Sequence, residues 1–252
     1  MKKERSLAGK WMQYGVLALI VHALAACSDN TPVPLPAGNG VQSEKAAPPP
    51  TPTPVAPTPA ADAKLVVAFG DSLYAGYNLE QDEGLAPVLE QALVKRGIAA
   101  QVVNAGVSGD TSAAGLERLA FTLDGLPRKP DLMLVGLGGN DMLRGLSPRD
   151  TRANMGAILT ELARRRIPVL LTGMVASPNM GPDYAAAFNA IYPDLAKRYD
   201  ATLYPFMLNG VIGKRALLLP DGIHPNPKGV EVIVGRIAPL VGRALQDGAP
   251  EA

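Results

Sequence analysis

Cysteine and histidine are scarce in this sequence of 252 residues, which contains one cysteine, Cys27, and two histidines, His22 and His224. A single cysteine excludes a disulfide within one chain. The formal net charge is only +1, and the one run of basic residues, at 164–166, lies at the end of a predicted helix. The sequence therefore gives no support for nucleic-acid binding.

Long hydrophobic runs are also missing, apart from one near the N-terminus. Residues 11–26 form an apolar run of 16 residues that only Gln13 and His22 interrupt. This run is shorter than the ~20 residues that a membrane-spanning helix needs. It follows a segment with four basic residues among the first ten positions. A basic segment followed by a short apolar run is typical of a signal peptide.

The apolar run ends in Leu24-Ala25-Ala26-Cys27, which resembles the lipobox of bacterial lipoproteins. In such proteins the cysteine receives the lipid and becomes the mature N-terminus. We therefore predict a signal peptide over residues 1–27, lipidation of Cys27, and export to the periplasmic face of a bacterial membrane. The alternative is an ordinary cleavage that discards Cys27 and leaves a soluble periplasmic protein.

A proline-rich segment follows the predicted signal. Ten of the 34 residues at 28–61 are proline, mixed with threonine, alanine and glycine. Such a composition cannot bury a core and favours extended states, so it predicts a disordered linker. The remaining residues, 62–248, have the length of a single domain with one core.

Apolar and amphipathic segments alternate along this domain. Strands are predicted at 64–69, 101–104, 131–137, 167–174 and 201–204. Helices are predicted at about 84–96, from 111 onward, and at about 147–166, 184–198 and 226–245. Asp110 is expected to cap the second helix, and Pro193 to break or kink the fourth. Continuous apolar strands that alternate with helices predict a three-layer α/β/α fold, with a parallel sheet covered on both faces.

Ser72, Asp221 and His224 are the candidate catalytic residues. Acyl transfer by a serine needs a base for the hydroxyl proton and a group that holds the base. His224 is the only histidine outside the predicted signal, Asp221 lies three residues before it, and Ser72 follows the first strand. The alternatives are a helix-capping serine, a loop histidine without a role, and a turn aspartate before Gly222.

Gly109 and Asn140 follow the second and third strands and are candidate donors to an oxyanion. A glycine lets a backbone N–H approach closely, and an asparagine offers a side-chain N–H. Because the carboxyl ends of parallel strands meet at one edge of a sheet, these residues and Ser72 can converge. A plain turn at Gly109 and a helix cap at Asn140 are the alternatives.

Four sequence blocks together resemble a known family. They are Gly70-Asp-Ser-Leu73, the block around Gly109, Gly138-Gly-Asn-Asp141 and Asp221-Gly-Ile-His-Pro225. In this order they resemble the SGNH (GDSL-type) hydrolase superfamily across nearly all of residues 64–245. The segments at 72–77, 108–112 and 140–146 are most similar to its periplasmic branch of arylesterases, thioesterases and lysophospholipases.

The resemblance implies a flavodoxin-like, doubly wound parallel sheet of five strands, and ester hydrolysis without a metal or cofactor. It assigns Ser72 as the nucleophile and Asp221 and His224 as its triad partners. It also assigns Ser72, Gly109 and Asn140 to the oxyanion hole. The expected partner is a small-molecule acyl ester, and the expected membrane contact is the N-terminal lipid alone. The oligomeric state stays open.

The natural substrate also stays open. The segment at 175–184 has no positive charge, whereas the best-known members of the branch carry basic residues there. Its Met180 and prolines are expected to line an acyl groove. A carbohydrate or cell-wall O-acetyl esterase would share the same catalytic residues. A non-catalytic envelope lipoprotein and, from the fold alone, a flavin-binding domain are the remaining alternatives.

Overall fold

The computed structural model describes residues 62–247. The predicted signal peptide over residues 1–27 with Cys27, the predicted linker over residues 28–61 and residue 248 lie outside the described residues. Within residues 62–247, no helix combines the length and the apolar character needed to cross a membrane.

The described residues form strands and α-helices in alternation. The strands are β1 (Lys64–Gly70), β2 (Ala100–Gly106), β3 (Leu132–Gly136), β4 (Val169–Thr172) and β5 (Thr202–Tyr204). The helices are α1 (Ser72–Ala75), α2 (Leu85–Val94), α3 (Ser112–Asp124), α4 (Gly139–Leu143), α5 (Pro148–Arg164), α6 (Pro182–Asn189), α7 (Ile191–Tyr199) and α8 (Pro227–Asp247).

All strand pairs are parallel, and the strand order is β2-β1-β3-β4-β5. This is the flavodoxin-like order, in which the direction of winding reverses between β1 and β3. Open sheets of this kind bind their ligands at that point, beyond the carboxyl ends of the strands. The predicted doubly wound sheet of five strands is confirmed.

The core lies on both faces of the sheet because successive strand side chains point in opposite directions. In β1, Val66 and Ala68 are buried in a cluster with side chains of α2 and α8. Val67 and Phe69 are buried in a second cluster with side chains of α3, α5, α6 and α7. A strand covered on both faces has no exposed positions, which explains the continuous apolar runs in the sequence.

Two expectations about helix ends have different outcomes. Asp110 does not cap α3, so that prediction is wrong. The cap is Thr111, whose hydroxyl accepts the N–H of Ala114 at 3.2 Å, while the carboxylate of Asp110 pairs with a side chain of α3. The break predicted at Pro193 is confirmed, since α6 ends at Asn189. That is the residue whose carbonyl a proline four positions later would crowd.

Candidate active site

Ser72 is the first residue of α1 and follows the end of β1 at Gly70 by two positions. Asp71 caps the short helix, because its Oδ1 accepts the N–H of Leu73 at 3.1 Å. Gly70 permits the tight turn, since a Cβ at this position would collide with the ring of Tyr74. The turn holds the Ser72 hydroxyl at the carboxyl edge of the sheet.

Asp221 and His224 share the loop that precedes α8. Oδ1 of Asp221 accepts the backbone N–H groups of Ile223 at 2.9 Å and of His224 at 3.0 Å. Gly222 has a φ of 72°, a left-handed conformation that suits glycine. The N–H of Leu219 donates to the carbonyl of His224 at 2.7 Å. The loop is therefore folded around the carboxylate, which leaves Oδ2 free for the imidazole.

The three predicted catalytic side chains form one hydrogen-bonded row. The Oγ of Ser72 lies 2.9 Å from Nε2 of His224. Nδ1 of the same ring lies 2.7 Å from Oδ2 of Asp221. The Tyr77 ring packs against the imidazole with ring centroids 4.4 Å apart. Aspartate on one ring nitrogen and tyrosine on one ring face fix the orientation of the base.

Asp221 is held in its ionised form. Partial burial acts to raise the pKa of Asp221. Hydrogen bonds from the N–H groups of Ile223 and His224 and from the imidazole have a larger, opposite effect and lower the pKa to about 2. A carboxylate that stays charged favours the imidazole tautomer with its proton on Nδ1. Nε2 of His224 is then the acceptor that faces Ser72.

Asn140 and Gly109 meet at the same edge. Asn140 lies in α4, and its side-chain amide donates to the carbonyl of Asp110 at 2.9 Å. A primary amide has two N–H groups, so one remains for a ligand. Gly109 has a φ of 86°, and its carbonyl accepts Nη2 of Arg144 at 2.7 Å. Within residues 62–247, the N–H groups of Ser72 and Gly109 have no acceptor.

A small cavity of about 70 Å³ has Ser72, Asn140 and His224 in its wall. Beside it lies a larger cavity of about 390 Å³. The two share the side chains of Leu143, Met174, Leu208 and Ile223 together with Gly139.

The larger cavity is lined mainly by apolar side chains, among them Met142, Phe206 and Ile212. Pro178 of the segment at 175–184 also lines it. Met180 does not; its side chain packs against the core on the α5 face, which corrects the expectation for this residue.

Asp141 is a buried group that sequence reasoning did not single out. Its carboxylate is 2 % exposed and accepts the N–H of Ser112 at 2.7 Å, the Ser112 hydroxyl, and the Thr151 hydroxyl at 3.0 Å. It thereby ties α4, which carries Asn140, to α3 and α5. The Gly-Gly-Asn-Asp block contained this residue, but its partners are distant in sequence.

Asp71 leads to a prediction about stability. Burial raises the pKa of Asp71 from 3.8 to about 6, although the N–H of Leu73 and the charge of His224 act against the rise. The folded state therefore binds this proton more tightly than the unfolded state does. Ionised Asp71 destabilises the fold above about pH 6, and this penalty fades as the pH falls toward about 4.

Asp71→Asn removes the charge and keeps an acceptor for the Leu73 N–H. We expect the substitution to raise the free energy of unfolding by up to about 3 kcal/mol more at pH 8 than at pH 4. Urea denaturation of the variant and the parent at both pH values measures this difference. An equal effect at the two pH values would show that the burial of Asp71 does not set its titration.

A hydroxyl, an imidazole and a carboxylate in this row, at the carboxyl edge of a doubly wound sheet, define the class of serine hydrolases. The model of the GDSL-like Lipase/Acylhydrolase family matches residues 68–232. The chain belongs to this family, and the family predicted from the four blocks is confirmed.

Known proteins extend the comparison. Thioesterase 1/protease 1/lysophospholipase L1 of Escherichia coli K12 is 40% identical over 167 residues, which cover 66% of this chain and 78% of that protein. The arylesterase of Vibrio mimicus is 38% identical over 168 residues, 67% of this chain and 82% of that protein. AlinE4, an SGNH-hydrolase family esterase of known crystal structure, is 50% identical to this chain. The match covers 74% of this chain and 98% of AlinE4, with a TM-score of 0.63. The predicted hydrolysis of esters is confirmed.

Proposed function

We propose that this protein hydrolyses carboxylic esters through an acyl-enzyme intermediate on Ser72. The observation that carries the proposal is the row of two hydrogen bonds, from Ser72 Oγ to His224 Nε2 at 2.9 Å and from His224 Nδ1 to Asp221 Oδ2 at 2.7 Å. A row of this kind supplies a nucleophile, a base and a group that orients the base.

The reaction proceeds in two halves. His224 Nε2 takes the proton of Ser72 as Oγ attacks the ester carbonyl, and Asp221 stabilises the imidazolium that forms. His224 then gives this proton to the alcohol, which leaves as the carbonyl reforms. Water, deprotonated by His224, attacks the acyl-enzyme in the same way and releases the acid and free Ser72.

Three donors stabilise the negative charge on the carbonyl oxygen: the N–H groups of Ser72 and Gly109 and the side-chain amide of Asn140. They are held by the fold before the substrate arrives, so no reorganisation is needed when the charge develops. Support comes from the two backbone N–H groups, which have no acceptor within residues 62–247.

The substrates are aryl esters and esters with an acyl chain of medium length, and the same site accommodates acyl thioesters and lysophospholipids. The apolar cavity of about 390 Å³ beside Ser72 supports this choice. Burying each methylene of an acyl chain in such a cavity is worth about 0.8 kcal/mol. An acetylated sugar would gain nothing from these side chains.

A panel of p-nitrophenyl acetate, p-nitrophenyl octanoate and an acetylated sugar tests the substrate class, and the octanoate is expected to have the highest kcat/KM. Ala176 lines the cavity and is buried. Ala176→Phe fills the space of about four methylenes, so octanoate should lose about a hundredfold in kcat/KM while acetate is nearly unaffected.

Ala153→Phe adds the same ring to the exposed surface of α5, and it should leave both substrates unaffected. A preference for the acetylated sugar, or equal losses for the two p-nitrophenyl esters in Ala176→Phe, would contradict the assignment of the cavity to acyl chains.

Export and lipid anchoring of the chain belong to the same proposal. Residues 24–27 and the proline-rich linker support a hydrolase that is held by a lipid on Cys27 at the periplasmic face of a bacterial membrane. Cells grown with a clickable fatty acid should label the protein, and Cys27→Ser should lose the label and leave the membrane fraction. An unlabelled parent protein would indicate an ordinary signal cleavage instead.

A further inference from the structure

Arg118 lies behind the site, on α3, and contacts two of the loops that form it. Its Nε donates to Oδ2 of Asp110 at 2.6 Å, and its Nη2 donates to the carbonyl of Gly70 at 3.0 Å. The guanidinium carbon also lies 4.0 Å from the centroid of the Phe69 ring. The planar fork of an arginine is therefore fixed on three sides, by a carboxylate, a carbonyl and an aromatic face.

The Gly70 carbonyl joins the nucleophile loop to the loop of Gly109. It accepts the N–H of Val107 at 3.0 Å as well as Nη2 of Arg118. Gly70 precedes Ser72 by two residues, and Val107 precedes Gly109 by two. The position of the carbonyl therefore sets the distance between two of the proposed oxyanion donors.

Asp110 connects Arg118 to the third donor, the side-chain amide of Asn140. Its side chain accepts Arg118 Nε, and its backbone carbonyl accepts the amide of Asn140 at 2.9 Å. Asp110 is 8 % exposed, so its ion pair is shielded from water, and a shielded pair restrains geometry more strongly than an exposed one. Arg118 thus contacts a residue next to Gly109 which itself orients Asn140.

We propose that Arg118 is a positioning residue that holds the N–H groups of Ser72 and Gly109 and the amide of Asn140 in the register needed for oxyanion binding. The inference rests on the proposed function, because the register matters only if these groups stabilise a reacting carbonyl. Arg118 does not line either cavity beside Ser72, so it acts through its partners.

A role of this kind affects the chemical step more than substrate binding. The acyl chain contacts the apolar cavity in the ground state and in the transition state alike, so KM should change little. The preset donors bind the oxyanion of the transition state more strongly than the neutral carbonyl of the substrate, so displacing them should lower kcat. A purely structural role would instead lower stability with no specific effect on kcat.

Arg118→Met keeps an unbranched side chain near Phe69 and removes the guanidinium with both of its hydrogen bonds. Its kcat for p-nitrophenyl octanoate is expected to fall about tenfold to a hundredfold, with KM within about twofold of the parent. Inactivation by a fluorophosphonate should slow by the same factor, because its phosphoryl oxygen uses the same donors.

Arg165→Met is the matched control. Arg165 makes two ion pairs, with Asp124 and Glu161, and its side chain is 24% exposed against 21% for Arg118. It lies at the end of α5, away from the cavities, so its variant should lose stability but keep kcat. Thermal unfolding of both variants provides the comparison.

Arg118→Lys and Asp110→Ala provide the second line of the test. Lysine restores a charge but not the fork, so it should recover only part of kcat. Asp110→Ala removes the acceptor of Arg118 Nε and keeps the backbone carbonyl, so it should reproduce the loss with the same unchanged KM. Both remain informative if Arg118→Met does not fold. Any of the three folded variants with parental kcat and a parental inactivation rate would overturn the proposal. A parent protein without Ser72-dependent activity would instead overturn the proposed function.

Discussion

Ser72→Ala is expected to lower kcat for aryl esters by about a millionfold, the loss typical for removal of a triad nucleophile. The hydroxyl that lies 2.9 Å from His224 Nε2 is absent in this variant. Alanine therefore has no nucleophile and cannot form the acyl-enzyme. The same variant should no longer be labelled by a fluorophosphonate, which reacts with the activated serine. Initial rates with p-nitrophenyl octanoate and in-gel labelling measure the two effects.

Ser108→Ala is the control for this variant. Ser108 is exposed and lies near the site, so the substitution removes a hydroxyl from the same edge of the sheet without affecting the proposed row. It should retain parental labelling and turnover. Persistent labelling or turnover in Ser72→Ala, beyond what a trace of parent protein gives, would assign the nucleophile to another residue.

Asn140→Ala should show the next largest effect, a loss of about a hundredfold to a thousandfold in kcat, or about 3–4 kcal/mol of transition-state stabilisation. The substitution removes one of the three donors, and also the 2.9 Å bond to Asp110 that orients it. KM for the octanoate ester should change little, because the apolar cavity remains intact. Steady-state kinetics and thermal unfolding separate the two contributions.

Asn140→Asp provides a sharper version of the same test. The shape of the side chain is kept, but a carboxylate replaces the amide at the position where negative charge develops. Activity should fall at least as far as in Asn140→Ala. Near-normal turnover by either variant would remove Asn140 from the oxyanion hole and leave the two backbone donors as the whole of it.

The sheet could be predicted from the sequence because the burial of a strand determines the polarity of its own residues. The central strands β1 and β3 are buried on both faces and appear as continuous apolar runs. The edge strand β2 exposes Gln101 and Asn104, but each of the five predicted strands overlaps an observed one. The short helices α1 and α4 were not predicted, since four or five residues show no helical period. The cap of α3 was misassigned because Asp110 and Thr111 are both good capping residues. In the structure Asp110 pairs with Arg118, and the hydroxyl of Thr111 caps the helix.

The catalytic residues could be predicted for a different reason. Only one histidine lies outside the predicted signal, and Asp221 is close to it in sequence. Arg118 could not be found in this way, since its contact with Gly70 joins residues 48 positions apart. The burial of Asp71 and the partners of Asp141 were likewise invisible, because they depend on how α3, α4 and α5 pack against the sheet.

Mass spectrometry of the acyl-enzyme tests the proposed catalytic role of Ser72 most directly. Rapid acid quenching during turnover of p-nitrophenyl octanoate, followed by proteolysis, should give a peptide that carries one octanoyl group on Ser72. The modified fraction should rise within the first turnover and decay when the ester is exhausted. An octanoyl group on another residue, or full turnover without any acylated peptide, would contradict catalysis by Ser72.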